Sequence, residues 1–207
     1  MAAGAVNFNQ NFTLKEDGSG SVNILYVEQD SFIKGKNFLI GNLPFNKEKI
    51  TEYFSSAGTK IFSSSIEKSP KDNNSTQVIV TLVFNSVNDL NNLKGLTKSQ
   101  YSMTNTDSGM VLRCSFSPEF VSSNSISQIY CTLTSKSEIK SSNGTIKDNA
   151  VSFFRGKEYL DSKNGNNFDV TFKSGDKTTT TKKEGSDEKG KSCGLFGIEL
   201  PIVFLLG

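Results

Sequence analysis

Cys114 and Cys131 have the most distinctive chemical potential in this chain. Each lies in an alternating apolar segment, Met110-Leu112-Cys114-Phe116 and Ile129-Cys131-Leu133. If those strands pair, the two sulfurs meet, and an oxidising compartment would close a disulfide. The other reading is two buried free thiols. Three Cys without a CxxC spacing do not compose a zinc site. The chain has no His, so the commonest general base and the commonest metal ligand are both missing. The carboxylates Asp17, Glu48, Glu67 and Asp89 fall in turns or on polar helix faces, where solvation is their expected role. No Ser stands in a nucleophile elbow, and no Gly-rich loop has phosphate-binding spacing. The residues predict no metal, no cofactor and no enzyme.

A different kind of chemistry is written in the last fifteen residues, CGLFGIELPIVFLLG. Cys193, Leu195, Phe196, Ile198, Leu200, Ile202, Val203, Phe204, Leu205 and Leu206 form a candidate anchor. Fifteen residues fall short of the roughly 20 that a spanning helix needs, and Glu199 and Pro201 interrupt the run. The Cys-Gly start and apolar run resemble a short bacterial C-terminal sorting tail. A terminal segment docked on the domain is the alternative. Residues 174–192 offer no apolar side chain to bury, so a disordered, flexible spacer is expected there. Residues 1–5 are expected to be disordered, leaving one domain over 6–173.

That domain reads as strand-rich. Phe is abundant at 16 residues, among many turn formers, and the net charge of +2 selects no charged partner. Val6, Phe8, Phe12 and Leu14 share one parity, broken only by Gln10; Val22, Ile24 and Tyr26 share another. The Asp17-Gly18-Ser19-Gly20 run between them predicts a hairpin. Ile50, Tyr53, Phe54 and Ala57 mark a helix capped by Asn46 and stopped near Gly58. Residues 61–66 read as a strand. QVIVTLVF, residues 77–84, is apolar on both faces and predicts a central strand. Ser86 caps a second short helix carrying Val87, Leu90 and Leu93. Alternation resumes over Met110–Phe116 and Ile129–Leu133, then at Val151 and Phe153, and at Phe168, Val170 and Phe172. The fold class predicted is α+β: a mostly antiparallel sheet with two helices on one face.

Two resemblances follow from these segments. NFLIGNLPFNKEKITEYFSSAG, residues 37–58, resembles the opening strand and helix of an RNA-recognition motif. Such a module would stack bases on sheet aromatics at Leu39, Ile79 and Thr81. None of these is aromatic, so no nucleic-acid partner is expected. The second resemblance covers residues 6–173. It rests on the hairpin LKEDGSGSVNILYVEQ, the strand running into FNSVNDLNNL, the turn Ser142-Asn143-Gly144 leading to Phe153 or Phe154, and the closing FDVTFKS. This order resembles the LppM-like domain of bacterial envelope lipoproteins. It implies an extracytoplasmic, membrane- or surface-associated domain of non-catalytic role, with a lipid as one ligand class. The sheet also carries more large apolar residues than two short helices can cover. Either later strands form a second layer, or an apolar groove remains for a lipid chain or the tail.

Overall fold

The computed structural model of the chain describes residues 5–107, 109–160 and 166–173. Residues 1–4, the expected spacer over 174–192 and the tail with all its candidate anchor residues lie outside these. In chain order the elements are β1 (Val6–Leu14), β2 (Gly20–Gln29), α1 (Asp30–Gly35), β3 (Leu39–Ile40), β4 (Leu43–Pro44), α2 (Lys47–Tyr53), β5 (Thr59–Ser69) and β6 (Asp72–Phe84). Then follow β7 (Ser99–Thr106), β8 (Gly109–Phe116), α3 (Pro118–Ser123), β9 (Ile126–Ser135), β10 (Ile139–Ser142), β11 (Thr145–Lys147), β12 (Ala150–Gly156), α4 (Lys157–Leu160) and β13 (Asn166–Phe172).

The fold is mixed α+β and dominated by antiparallel sheet. A seven-stranded sheet runs in the order β11-β12-β9-β1-β2-β6-β5, and a four-stranded sheet runs β10-β13-β8-β7. One pairing, β1 with β9, is parallel. The predicted hairpin is β1–β2, with Phe12 opposite Val22 and Phe8 opposite Tyr26. Its turn is closed by Asp17, whose carboxylate accepts from Ser19 N at 2.9 Å and Ser19 Oγ at 2.7 Å. Gly18 sits there at φ +81°, a conformation that favours glycine.

The later strands do form a second layer. Aromatic rings mesh between the sheets: Phe8 with Phe116 at 6.1 Å, Phe12 with Tyr101 at 6.2 Å, and Phe153 with Phe168 at 5.6 Å. The core is therefore largely sheet against sheet, and the arrangement of two helices on one face is replaced. The short helices add to that core: Phe120 of α3 packs on Phe8 at 5.5 Å, and Phe54, the C-cap of α2, stacks on Tyr26 at 6.4 Å. β6 is an interior strand, paired along both edges, but only one of its faces is covered. It lies next to the edge strand β5, and its outward residues Ile79 and Val83 stay partly accessible. Its apolar outward side chains were what suggested cover on both faces.

The first predicted helix is α2, shorter than expected. Asn46 caps it by accepting from Lys49 N at 3.0 Å, and it ends at Phe54, leaving Ala57 exposed. The second is not an α-helix: residues Val87–Asn92 and Lys94–Leu96 form two 3₁₀ turns. Val87, Leu90, Leu93 and Leu96 are all buried. Their strict spacing of three suits a helix of about 3.0 residues per turn, whereas an α-helix would rotate them off one face.

Candidate functional site

Tyr26, in mid-β2, is fully buried and donates its phenol hydrogen to the carbonyl of Pro44. Its ring packs edge-on against Phe45 at 5.1 Å. This fixes β4 against β2 of the large sheet. A second clasp holds the turn between β3 and β4. The buried Asn124, which caps the C-terminus of α3, accepts from Asn42 N at 2.7 Å and donates to the Phe120 carbonyl at 2.8 Å.

Just ahead of the two clasped residues the backbone is strained. Asn37 and Phe38 lie at φ +52° and +59°, in the left-handed region that costs a non-glycine residue energy. Phe38 N donates to Ile33 O at 3.1 Å, and Phe38 O accepts from Phe45 N at 2.8 Å. The conformation turns Phe38 outward, 44% exposed. It becomes one wall of a hollow of about 250 Å³ lined by Asp30, Ile33, Lys34, Phe38, Phe45, Ile66, Lys68 and Thr76. Ile33 and Phe45 are buried, and Ile66, on the edge strand β5, is partly exposed.

The rim is polar. Asp30 pairs with Lys68 and accepts from Thr76 Oγ1 at 2.6 Å. The Lys68 ammonium first, then the Thr76 hydroxyl, hold the Asp30 carboxyl below the usual carboxylate range. Lys34 stands on the same rim, so two ammonium groups face one carboxylate. Such a hollow can take the end of an apolar chain and set a negative group beside the lysines. A second hollow, of about 390 Å³, opens beside the small sheet, with Arg113 and Asn91 among its lining. There Arg113 is already paired with Asp169 at 2.7 Å.

The residues singled out in the sequence are not drawn into one site. Cys114 on β8 and Cys131 on β9 belong to different sheets, so their strands do not pair. Both are buried free thiols, and burial pushes both thiols up, with Cys131 adding to the effect at Cys114. Asp17 is engaged in its turn, and Asp89 accepts from Ser86 N at 2.9 Å. Glu67 accepts from Gln77 at 2.6 Å, and Glu48 lies in the exposed first turn of α2. Among the described residues no three Cys, Asp or Glu gather as a metal-binding group. Leu39, in the two-stranded sheet, is separated from Ile79 and Thr81 on β6, so the RNA-recognition arrangement does not form. Sequence reading placed Phe38 in the opening strand of that resemblance. Its left-handed backbone has no signature in residue type, which is why the hollow was missed.

The class these features define is a two-sheet, mainly antiparallel α+β domain with an amphiphilic hollow at one sheet edge. No family model matches the chain, and no curated protein matches it. Among solved structures, the chain is similar to the folded domain of LppM from Mycobacterium tuberculosis, determined by NMR. The two superpose with a TM-score of 0.54 at 15% sequence identity, over 86% of this chain and 96% of that one. At that identity the likeness is one of fold.

Proposed function

We propose that this chain is an exported, envelope-anchored, non-catalytic domain that binds a single-chain lipid with an anionic headgroup. The observation that carries the reading is the strained, outward Phe38 standing with Ile66 over Ile33 and Phe45, beside Lys34. Exposed aromatic surface held in an unfavourable conformation is a common property of ligand clamps. The hollow is smaller than a drug-sized site, so it suits the end of one acyl chain rather than a whole lipid. The likeness of fold to a lipoprotein domain supports the envelope setting. The apolar composition of residues 193–207 supports anchorage there. The non-catalytic role is supported by two of the sequence's candidate carboxylates, Asp17 and Asp89, which are committed to a turn and a cap.

The test is titration of the full chain with dodecyl phosphate, followed by tyrosine fluorescence and by amide shifts around Phe38. Saturable binding should weaken about tenfold in Phe38→Ala and again in Lys34→Glu. Binding that is absent, or indifferent to both changes, would overturn the lipid reading. Membrane fractionation of cells carrying the chain with and without residues 193–207 tests the anchor separately. Equal partition of the two would end it.

A further inference from the structure

The outward face of the seven-stranded sheet carries no charge across its five inner strands, in a chain whose residues are 21% charged. One row, read across β12, β9, β1, β2 and β6, is Phe154, Tyr130, Asn9, Leu25 and Ile79. The next is Ser152, Thr132, Asn11, Asn23 and Thr81. The flanking rows, Gly156 to Gln77 and Ala150 to Val83, are uncharged as well. On this face charge begins only at the edge strands, with Lys60 and Glu67 on β5 and Lys147 on β11. The small sheet behaves differently: its outward face has the Arg113–Asp169 ion pair on its two inner strands.

The amides on this face are held in place. Thr132 Oγ1 donates to Asn11 Oδ1, and Asn23 Nδ2 donates to Thr81 Oγ1 at 3.0 Å. Asn11 is thereby left with its Nδ2 donor, and Asn23, directly opposite it, with its Oδ1 acceptor. A donor beside an acceptor matches a pair of neighbouring hydroxyl groups, each of which gives and takes a hydrogen bond. At the end of the platform two aromatic rings are exposed side by side, Tyr130 at 38% and Phe154 at 57%. Rings of this kind cover the apolar C–H face of a sugar. The five strands span about 19 Å, enough for several sugar units.

We infer that this face is a binding platform for an uncharged oligosaccharide laid across the strands, with Tyr130 and Phe154 as the stacking end and Asn11 and Asn23 as the hydroxyl readers. Charge complementarity selects the occupant. A polyanion would find no cation here. A protein partner would meet Asn7, Asn9, Asn11 and Thr13 of β1 in the middle of the face, where a stable interface has a dehydrated apolar centre. The inference uses none of the residues of the edge hollow and stands apart from the lipid reading.

The experiment is an amide-shift titration of the full chain with mannohexaose, cellohexaose and chitohexaose, with a heparin hexasaccharide as the charged comparison. At least one neutral sugar should shift amides of β1, β2 and β9. Tyr130→Ala and Phe154→Ala should each weaken that binding about tenfold. Asn11→Asp, which keeps the shape and adds a charge, should weaken it too. Ser115→Ala on the other sheet should leave it unchanged. These side chains are at the surface, and an unaltered melting temperature will show each variant folded. The inference is overturned if no neutral sugar shifts the face, if heparin binds more tightly, or if Tyr130→Ala binds like the parent. Self-association of the chain through this face, seen by sedimentation, would overturn it as well.

Discussion

Gln10 and Tyr101 join the two sheets through the core: Gln10 Nε2 donates to the Tyr101 phenol oxygen at 2.6 Å, with both side chains buried. A thiol flanks each partner, Cys131 beside Gln10 on one sheet and Cys114 beside Tyr101 on the other. Gln10 Oε1 is buried with no partner of its own. Tyr101→Phe should therefore strand the whole Gln10 amide and cost about 1–3 kcal/mol. Adding Gln10→Leu should recover most of that loss, because an apolar pair leaves nothing unsatisfied. Urea unfolding of the two single variants and the double variant measures the coupling. Additive losses would show that the pair is not linked.

Alkaline pH should destabilise the fold. Burial pushes up the phenols of Tyr26 and Tyr101 and the thiols of Cys114 and Cys131. In the unfolded chain they ionise near the ordinary values of 9.0 for Cys and 10.0 for Tyr. Above about pH 9 the folded state thus keeps protons that the unfolded state has lost. Stability is full below that pH and falls as pH rises, by up to about 1.4 kcal/mol per pH unit for each group. Urea midpoints should hold steady from pH 7 to 8.5 and then decline (about one to two units above neutrality). A profile flat to pH 11 would contradict the burial of these groups.

The same burial predicts inert thiols. In a Cys193→Ser variant, Ellman's reagent should find no reactive sulfur in the native protein and both Cys114 and Cys131 after denaturation. Native reactivity of either residue would be the contrary result.

Asn124 should be costly to replace. Asn124→Ala removes both bonds of the clasp and leaves Asn42 N without its acceptor, while the Phe120 carbonyl keeps the Asn124 backbone N–H, a loss of about 1–3 kcal/mol. Gly41 lies against the same amide at φ +58°, and a Cβ there would come within 2.5 Å of Asn124 Oδ1. Gly41→Ala should destabilise to a similar degree. Amide shifts of Phe38 and Phe45 should move in both variants; their staying fixed would mean the clasp does not position the hollow.

Gly58 makes room for the Asp89 carboxylate, which a Cβ would meet at 2.1 Å. That carboxylate completes the cap on the first 3₁₀ turn. Gly58→Ala should cost about 1–2 kcal/mol in the parent and much less in an Asp89→Ala background. Equal costs in both backgrounds would break the link.

Much of the fold could be read from residue order where pattern and local chemistry coincide. The β1–β2 hairpin, the Asn46 cap and the alternating β8, β9 and β13 were all visible. Gln10 was visible as an irregularity, a polar residue on the core parity of β1, but its partner lies 91 positions away. The 3₁₀ turns were hidden because three-residue spacing over a short span mimics one face of an α-helix. The parallel β1–β9 pairing was hidden for another reason: the alternation of two strands fixes which face is buried, not which strand lies beside which. Of the candidate site, the apolar excess was legible, but its resolution into a second sheet depended on pairings between distant strands, and the edge hollow on the left-handed Asn37-Phe38 step.

The parallel pairing also sets a timetable. Val6 at the start of β1 touches Ser127 at the start of β9, 121 positions later. β1 lies in mid-sheet, so once made it waits with one edge bare until the chain past residue 126 has followed it. Contacts this distant close slowly, on the order of milliseconds to seconds. During that interval the growing chain offers an open strand edge, the surface on which holding chaperones act. The Asn and Thr side chains that line its outward face keep that waiting strand wet.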